Sequence, residues 1–207
     1  MTLPAADITA PRRRPRPDGV PPTDDQLALI VEAATSVPDH GGLAPWRFVV
    51  VTGPSREPFG EALAADTAAS RPGAPPAVIE KARHKAFAAP CHVVLVAAPD
   101  PGSNVPGWEQ VASASCAGYA VVLAATALGL GAIWKSAAVM DGPAVRRLFG
   151  LGEHEHLLGW VNLGSADDRT GGPGLVLRPP PAPAEVASVL LPDASTTPLT
   201  GRRAAGD

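Results

Sequence analysis

Between Gly107 and Gly142 the chain carries no proline, although 25 of its 207 residues are proline. Within that window residues 111–134 carry no charge. Proline is excluded from helix interiors and central strands, so a proline-free stretch in a proline-rich chain marks long regular structure in the middle, with irregular ends. An uncharged run longer than roughly 18 residues is also the mark of a membrane span. Composition argues otherwise: the run is rich in Ala, Gly and Ser rather than Leu and Ile, and its flanks read as soluble α/β sequence. The expected element is a helix over 107–128, buried on nearly all sides. Its small residues Ala112, Ser113, Ala117, Gly118, Ala124 and Ala125 let other backbones approach closely. One domain of this size rarely encloses a helix, so a second copy is expected to complete the enclosure, giving a homodimer away from any membrane.

The other elements are shorter. Residues 1–22 alternate small residues, prolines and the run Arg12-Arg13-Arg14-Pro15-Arg16, which reads as an extended arm with little structure of its own. Thr23 with Gln26 fits a capping box, and Leu27, Ile30, Val31 and Ala34 follow at helical spacing until Pro38. The loop Pro38-Asp39-His40-Gly41-Gly42 leads to a run of β-branched and aromatic residues over 46–52 that is typical of a buried strand. Helices are expected from Pro54 and Ser55 to Ser70 and over 77–87, then a strand over 91–98. A short strand over 132–136, a short helix with Asp141 as N-cap and Gly150 at its end, and a strand over 156–164 follow. Beyond Asp167 no period is sustained except over 184–191. The resulting organisation is an Arg/Pro arm (1–22), one mixed α and β domain (23–172) and a Pro-rich extension (173–207).

Lys and Arg total 17 against 20 Asp and Glu, a net charge of −3, so no field over the whole molecule draws the chain to nucleic acid or anionic lipid. Only Lys81, Lys85 and Lys135 are lysine. Cys91 and Cys116 lie in apolar surroundings without paired spacing, which reads as two buried thiols in a cytoplasmic protein. The first residues lack the apolar core of a secretory signal, in keeping with that location.

Gly129-Leu130-Gly131 follows a helix and precedes a strand, the reverse of the dinucleotide-binding order. His154-Glu155-His156 has no third ligand nearby, so a solvated turn is expected and no metal site is assigned. Cys91 and His92 face opposite sides of a strand, which argues against a nucleophile pair. No nucleophile elbow or P-loop is present. The arginine run leaves two readings: salt-sensitive contact with nucleic-acid phosphates, or one organic phosphate gripped by bidentate guanidinium contacts from an anchored arm.

Five segments stand in order over 12–164: Arg12-Arg13-Arg14-Pro15-Arg16, Pro38-Asp39-His40, Pro45-Trp46-Arg47-Phe48-Val49-Val50, Trp108-Glu109-Gln110, and Gly129-Leu130-Gly131-Ala132-Ile133-Trp134-Lys135-Ser136. In that order they resemble the nitroreductase superfamily, in particular its small bacterial YdjA-like subgroup. The resemblance implies an α+β nitroreductase-like fold, with a central mixed or antiparallel sheet flanked by helices. It also implies a homodimer with the long small-residue helix at its interface and two FMN molecules bound there. The activity it implies is that of an FMN-dependent NAD(P)H oxidoreductase. NADH or NADPH gives a hydride to the flavin and leaves, and a small electrophilic acceptor such as a nitroaromatic, quinone or activated alkene then takes the electrons. The flavin carries the chemistry, and no catalytic side chain is assigned. A flavin-binding storage or sensor protein of the same fold, without efficient turnover, is the alternative.

Position by position, the resemblance makes Arg12, Arg13 and Arg14 the arm that holds the FMN phosphate and pyrimidine edge. It makes Ser36 and His40 contacts to the flavin from the partner subunit, and Trp134, Lys135 and Ser136 the loop beside the isoalloxazine ring. There, backbone N–H groups and a cation favour the negative charge of reduced flavin. Plainer roles stay open: core packing for Trp134, a surface lysine for Lys135, a backbone-bonded turn residue for His40. Residues 124–129 match a stretch linked to nicotinamide binding, with helix packing as the dominant role. Three positions depart from the pattern: Ser36 stands in place of Arg, Ala44 in place of Gln, and Arg14 in place of Ser. Loss of Arg at 36 removes a charge-assisted phosphate contact of about 1.5–3 kcal/mol, for which Arg14 is the candidate replacement. Residues 173–191 are expected to lie against the partner subunit.

Overall fold

The computed structural model describes residues 16–167 and 181–199. The run Arg12-Arg13-Arg14 and the segment 168–180 lie outside the described residues. The chain divides into two units, Arg14–Thr170 and the combined termini. In chain order the larger unit contains β1 (Arg16–Asp18), α1 (Asp24–Ala34), β2 (Trp46–Thr52), α2 (Arg56–Ser70), α3 (Pro76–Arg83), β3 (Cys91–Ala97), α4 (Gly107–Ala127), β4 (Leu130–Lys135), α5 (Pro143–Phe149) and β5 (His156–Asp167). The described part of the terminal unit is α6 (Pro183–Val186) and an antiparallel hairpin of β6 (Ser188–Leu190) and β7 (Thr196–Pro198).

β5 organises the sheet. It pairs with β1, β3 and β4, β2 pairs with β3, and all four pairings are antiparallel. Helices cover both faces, which makes the fold α+β. On one face Phe59, Leu63, Val145 and Phe149 from α2 and α5 pack on Val94, Val96 and Trp160. On the other, Ile30, Ala34, Val121 and Ala125 from α1 and α4 pack on Cys91, Val93, Val161 and Leu163. Alternation along β3 supplies both cores, and all seven of its residues are buried. The Phe59 ring makes edge contacts with Phe149, Trp160 and His92, at 5.4, 5.1 and 5.9 Å between centroids. Such contacts favour ring edges against ring faces.

Local signals fix several boundaries. Gln26 N–H donates to Thr23 Oγ1 at 3.2 Å and Thr23 N–H to Gln26 Oε1 at 3.0 Å, so the capping box forms. The expected helix over 77–87 is α3 followed by a 3₁₀ turn, His84–Phe87. The end of the arginine arm, Arg16–Asp18, is a strand paired with β5 rather than unstructured chain.

β2, expected as a buried strand, buries only Val51, because helices cover it less fully than β3. Three further expectations are corrected. Asp141 is not the N-cap of α5; Gly142 is. The orphan N–H groups of Ala144 and Val145 donate instead to Asp66 of α2, at 2.9 and 2.8 Å, while Asp141 accepts from Leu157 N–H at 3.2 Å. A Cβ on Gly142 would lie 2.1 Å from the Asp66 carboxyl carbon, so the small residue makes room for the distant cap. Second, Cys91 is buried but Cys116 is exposed. Third, α4 is not buried all round. It is long and apolar enough to cross a membrane, yet Ala114, Ala117, Val121 and Ala125 pack inward while Trp108, Cys116 and Tyr119 are exposed.

Candidate functional site at one end of the sheet

Antiparallel register brings four strand ends together, because Trp46 pairs with Ala97, Ala97 with His156, and Lys135 with Trp160. The loops before β2 and α4 and after β4 therefore crowd one end of the sheet. The loop before β2 is tied down: Ala44 N–H donates to Asp39 Oδ2 at 2.7 Å and Ser113 Oγ to the Pro38 carbonyl at 2.5 Å. His40 Nδ1 lies 2.8 Å from Glu109 Oε2, in the first turn of α4. His40 is thus anchored by a side chain rather than by its own backbone, with most of its ring exposed. Ser36 donates its hydroxyl to the Ala33 carbonyl at 2.7 Å, finishing α1. Among the described residues no hydrogen bond joins Ser36 or His40 to Trp134, Lys135 or Ser136 within one chain.

Trp134 is a packing residue. Its indole N–H donates to the Leu158 carbonyl at 3.3 Å, and its ring occupies the space over two glycines. A Cβ on Gly118 would come within 2.6 Å of that ring and 2.4 Å of Leu95, and one on Gly159 within 2.5 Å of the indole nitrogen. Gly159 also has φ 134°, a conformation that disfavours side chains. Since side chains alternate along a strand, fixing Trp134 toward α4 sends Lys135 to the opposite face.

There Lys85, from the turn after α3, donates to the Ser136 carbonyl at 2.9 Å. Burial, and then the nearby charges of Lys81 and Lys135, lower its pKa. Lys135 and Ser136 are exposed. The end of β4 thus presents two ammonium groups and a hydroxyl, a donor set suited to an anionic or acceptor-rich edge. Sequence reasoning missed Lys85 and Glu109 as site residues. Glu109 lay inside a recognised motif without a role, and Lys85 was distinguished only by the scarcity of lysine.

Arg47, near the start of β2, forms a separate clamp. Its Nε and Nη2 each donate to Glu155 at 2.7 Å, and Nη2 also reaches the Phe149 carbonyl at 3.0 Å. Those bonds hold the Glu155 carboxyl at about 2, well below the usual carboxylate range. Glu155 is therefore no solvated turn residue, whereas His154 is exposed. A cavity of about 330 Å³ opens beside it, lined by Asp100, Ser103, Asn104, His154 and His156 with loop prolines. No group of three or more His, Cys, Asp or Glu placed to hold a metal exists among the described residues. His92 is buried, with Nε2 2.7 Å from the Ala86 carbonyl and Nδ1 2.8 Å from the Asn162 amide. Burial lowers its pKa, and with both ring nitrogens engaged inside the core His92 is a structural residue.

Comparison with known proteins identifies the family and the fold. The chain is 40% identical over 144 residues to a protein of Escherichia coli (strain K12) named "Putative NAD(P)H nitroreductase YdjA", covering 70% of this chain and 78% of that protein. Its fold matches the nitroreductase-like family protein from Bacillus cereus with a TM-score of 0.65 at 23% identity, over 81% of this chain and 88% of that one. It also matches the FMN and NADPH-dependent nitroreductase NfnB from sphigopyxis sp. strain HMH, with a TM-score of 0.60 at 23% identity over 81% and 90% of the two chains. The family model described as "Nitroreductase family" matches residues 18–165, and with that match and the 40% identical relative the chain belongs to the nitroreductase family.

Proposed function

We propose that this chain is an FMN-dependent NAD(P)H oxidoreductase that reduces small electrophilic acceptors such as nitroaromatics, quinones or activated alkenes. Donor and acceptor use the site in turn. The observation that carries the reading is the cation-lined end of β4, where Lys85 and Lys135 flank Ser136. Names among the relatives and fold neighbours point the same way, NAD(P)H in one and FMN with NADPH in another. When bound, the flavin supplies hydride acceptance and donation.

The chain's own contribution is placement and charge. Lys85, Lys135 and the Ser136 hydroxyl would hold the electron-accepting edge of the cofactor and stabilise negative charge there, in a fixed array that needs no reorganisation. Trp134, wedged over Gly118 and Gly159, fixes the direction in which that array points. No described side chain is required as acid or base for hydride transfer.

The proposal includes a homodimer. Among the described residues no hydrogen bond joins Ser36 or His40 to the Trp134–Ser136 segment within one chain, which fits their serving a second subunit's site. The exposed Trp108, Cys116 and Tyr119 give α4 an apolar face for the partner. We assign residues 1–22 as a phosphate-holding arm, 23–172 as the flavin domain and 173–207 as an extension toward the partner, in a cytoplasmic protein. The test is spectroscopic. Purified protein should be yellow, lose its colour with NADH or NADPH without oxygen, and regain it on addition of a nitroaromatic or quinone. Colourless protein that FMN cannot reconstitute refutes the reading; a flavin that NADH and NADPH leave oxidised makes it a storage or sensor protein instead.

A further inference from the structure

Both other lysines of the chain lie within electrostatic reach of Lys85, at the end of β4. Lys85 donates to the Ser136 carbonyl at 2.9 Å, Lys135 precedes that residue in sequence, and Lys81 lies four residues before Lys85. Lys81 and Lys135 both act electrostatically on Lys85. Among the described residues none of the three has a carboxylate partner, since every ion pair involves Arg or His. Two acids of α2 and α3 are engaged elsewhere: Arg83 pairs with both Glu61 and Glu80, and Glu80 also faces His84. Three like charges held together without a counter-charge are unfavourable in the free protein, and an anion removes that cost. Lys81 lies on α3, four positions before Lys85 in the 3₁₀ turn that follows it, so the cluster extends beyond the Lys85–Ser136 contact assigned above to the flavin.

We propose that Lys81, Lys85 and Lys135 form a recognition site for a carboxylate or phosphate carried by the electron donor or acceptor. The inference rests on the oxidoreductase reading. Two sources share this chemistry: the 2′-phosphate that distinguishes NADPH from NADH, and an acidic substituent on the acceptor. In either case the cluster sets which partner is used.

Flavin-loaded wild type, Lys81→Gln and Lys81→Glu would be compared in two assays, because Lys81 is exposed and its replacement leaves the core intact. One measures kcat/KM for NADPH relative to NADH, the other for 4-nitrobenzoate relative to 4-nitrobenzamide. A solvent-exposed charge contact predicts a fall of about three- to fivefold in one of these ratios for Lys81→Gln, and a larger fall for Lys81→Glu. A fall in the first ratio identifies the 2′-phosphate, a fall in the second the acceptor carboxylate. A separate titration of flavin-free protein with inorganic phosphate, followed at the Ser136 amide by NMR, should show a shift that Lys81→Glu abolishes. If flavin binds and turns over but neither ratio moves by more than about 1.5-fold, or if Lys81→Gln weakens FMN retention instead, the proposal is overturned alone. If no flavin binds yet the phosphate shift persists and depends on Lys81, the anion site stands and the oxidoreductase reading fails. If neither flavin nor phosphate binds, both fail.

Discussion

Replacing Glu155 by Gln removes the charge from the Arg47 clamp while keeping its shape, and the cost can be worked from the structure. Arg47 donates two bonds of 2.7 Å to Glu155, and the carboxyl is held at about 2. Against an unfolded carboxyl near 4.3, that depression is equivalent to about 3 kcal/mol by linkage. About a third of the Arg47 side chain is open to solvent, and screening reduces the figure to about 1–2 kcal/mol. The sign follows from the direction of the shift. A depressed folded value stabilises the protein above the unfolded pKa, and the gain is lost as pH falls through the folded one, so it fades between roughly pH 5 and pH 2. About half is gone by pH 3 on those values. Urea unfolding of wild type and Glu155→Gln at pH 7, 5 and 3 measures this directly. The gap should be about 1–2 kcal/mol at pH 7 and 5 and roughly halve at pH 3. A gap that is equally large at pH 3 would mean that Gln loses packing rather than charge, and the clamp would not be electrostatic.

Asp66→Asn should cost about 1–3 kcal/mol in the same unfolding assay, because a neutral amide cannot accept from both Ala144 and Val145 with two oxygens; an unchanged midpoint would show that α5 caps itself. Gly118→Ala places a methyl 2.4 Å from Leu95 and 2.6 Å from Trp134. Overpacking of that kind costs about 1–3 kcal/mol, and the Trp134 indole N–H resonance should move; a variant with wild-type stability and spectrum would refute the wedge. Cys116 should react with a thiol reagent in native protein, while Cys91, buried with its thiol pushed up to about 11, should not. If α4 forms the homodimer interface, Cys116 labelling slows as protein concentration rises; a rate independent of concentration places the interface elsewhere.

What the sequence showed depended on how local the cause was. The capping box of α1, the buried strand β3 and the long helix α4 are written in neighbouring residues, and each forms within a residue or two of the expected bounds. Asp66 caps a helix 78 positions away and Arg47 grips a carboxylate 108 positions away, pairings that no local period encodes. The two cysteines make the limit plain. Both lie in apolar sequence, but Cys91 is in a strand covered on both faces, whereas Cys116 is on a helix with one face free. With no charged residue between 111 and 134 to mark the outer side, the phase of α4 is set only by what it packs on. Among the expected site residues that the structure describes, the contacts of four are defined. Trp134 is packing, His40 is anchored through Glu109, Ser36 finishes a helix, and Lys135 gains Lys85 as a neighbour.

The glycines and small residues of α4 have a second use beyond letting another backbone approach. Gly118 gives its space to a side chain of the same subunit, the Trp134 ring, and Gly159 on β5 gives space to the other end of that indole. Alternation along β4 then commits Lys135 to the opposite face, beside Lys85 and its bond to Ser136. The orientation of the cationic group is therefore set by a packing contact on the far side of the sheet, and a residue on α4 that touches neither lysine controls it. Gly118→Ala should accordingly disturb flavin retention and anion recognition together, whereas Lys81→Gln should disturb only the second. A Gly118→Ala variant that is destabilised yet keeps wild-type flavin affinity would show that the end of β4 holds its shape without Trp134.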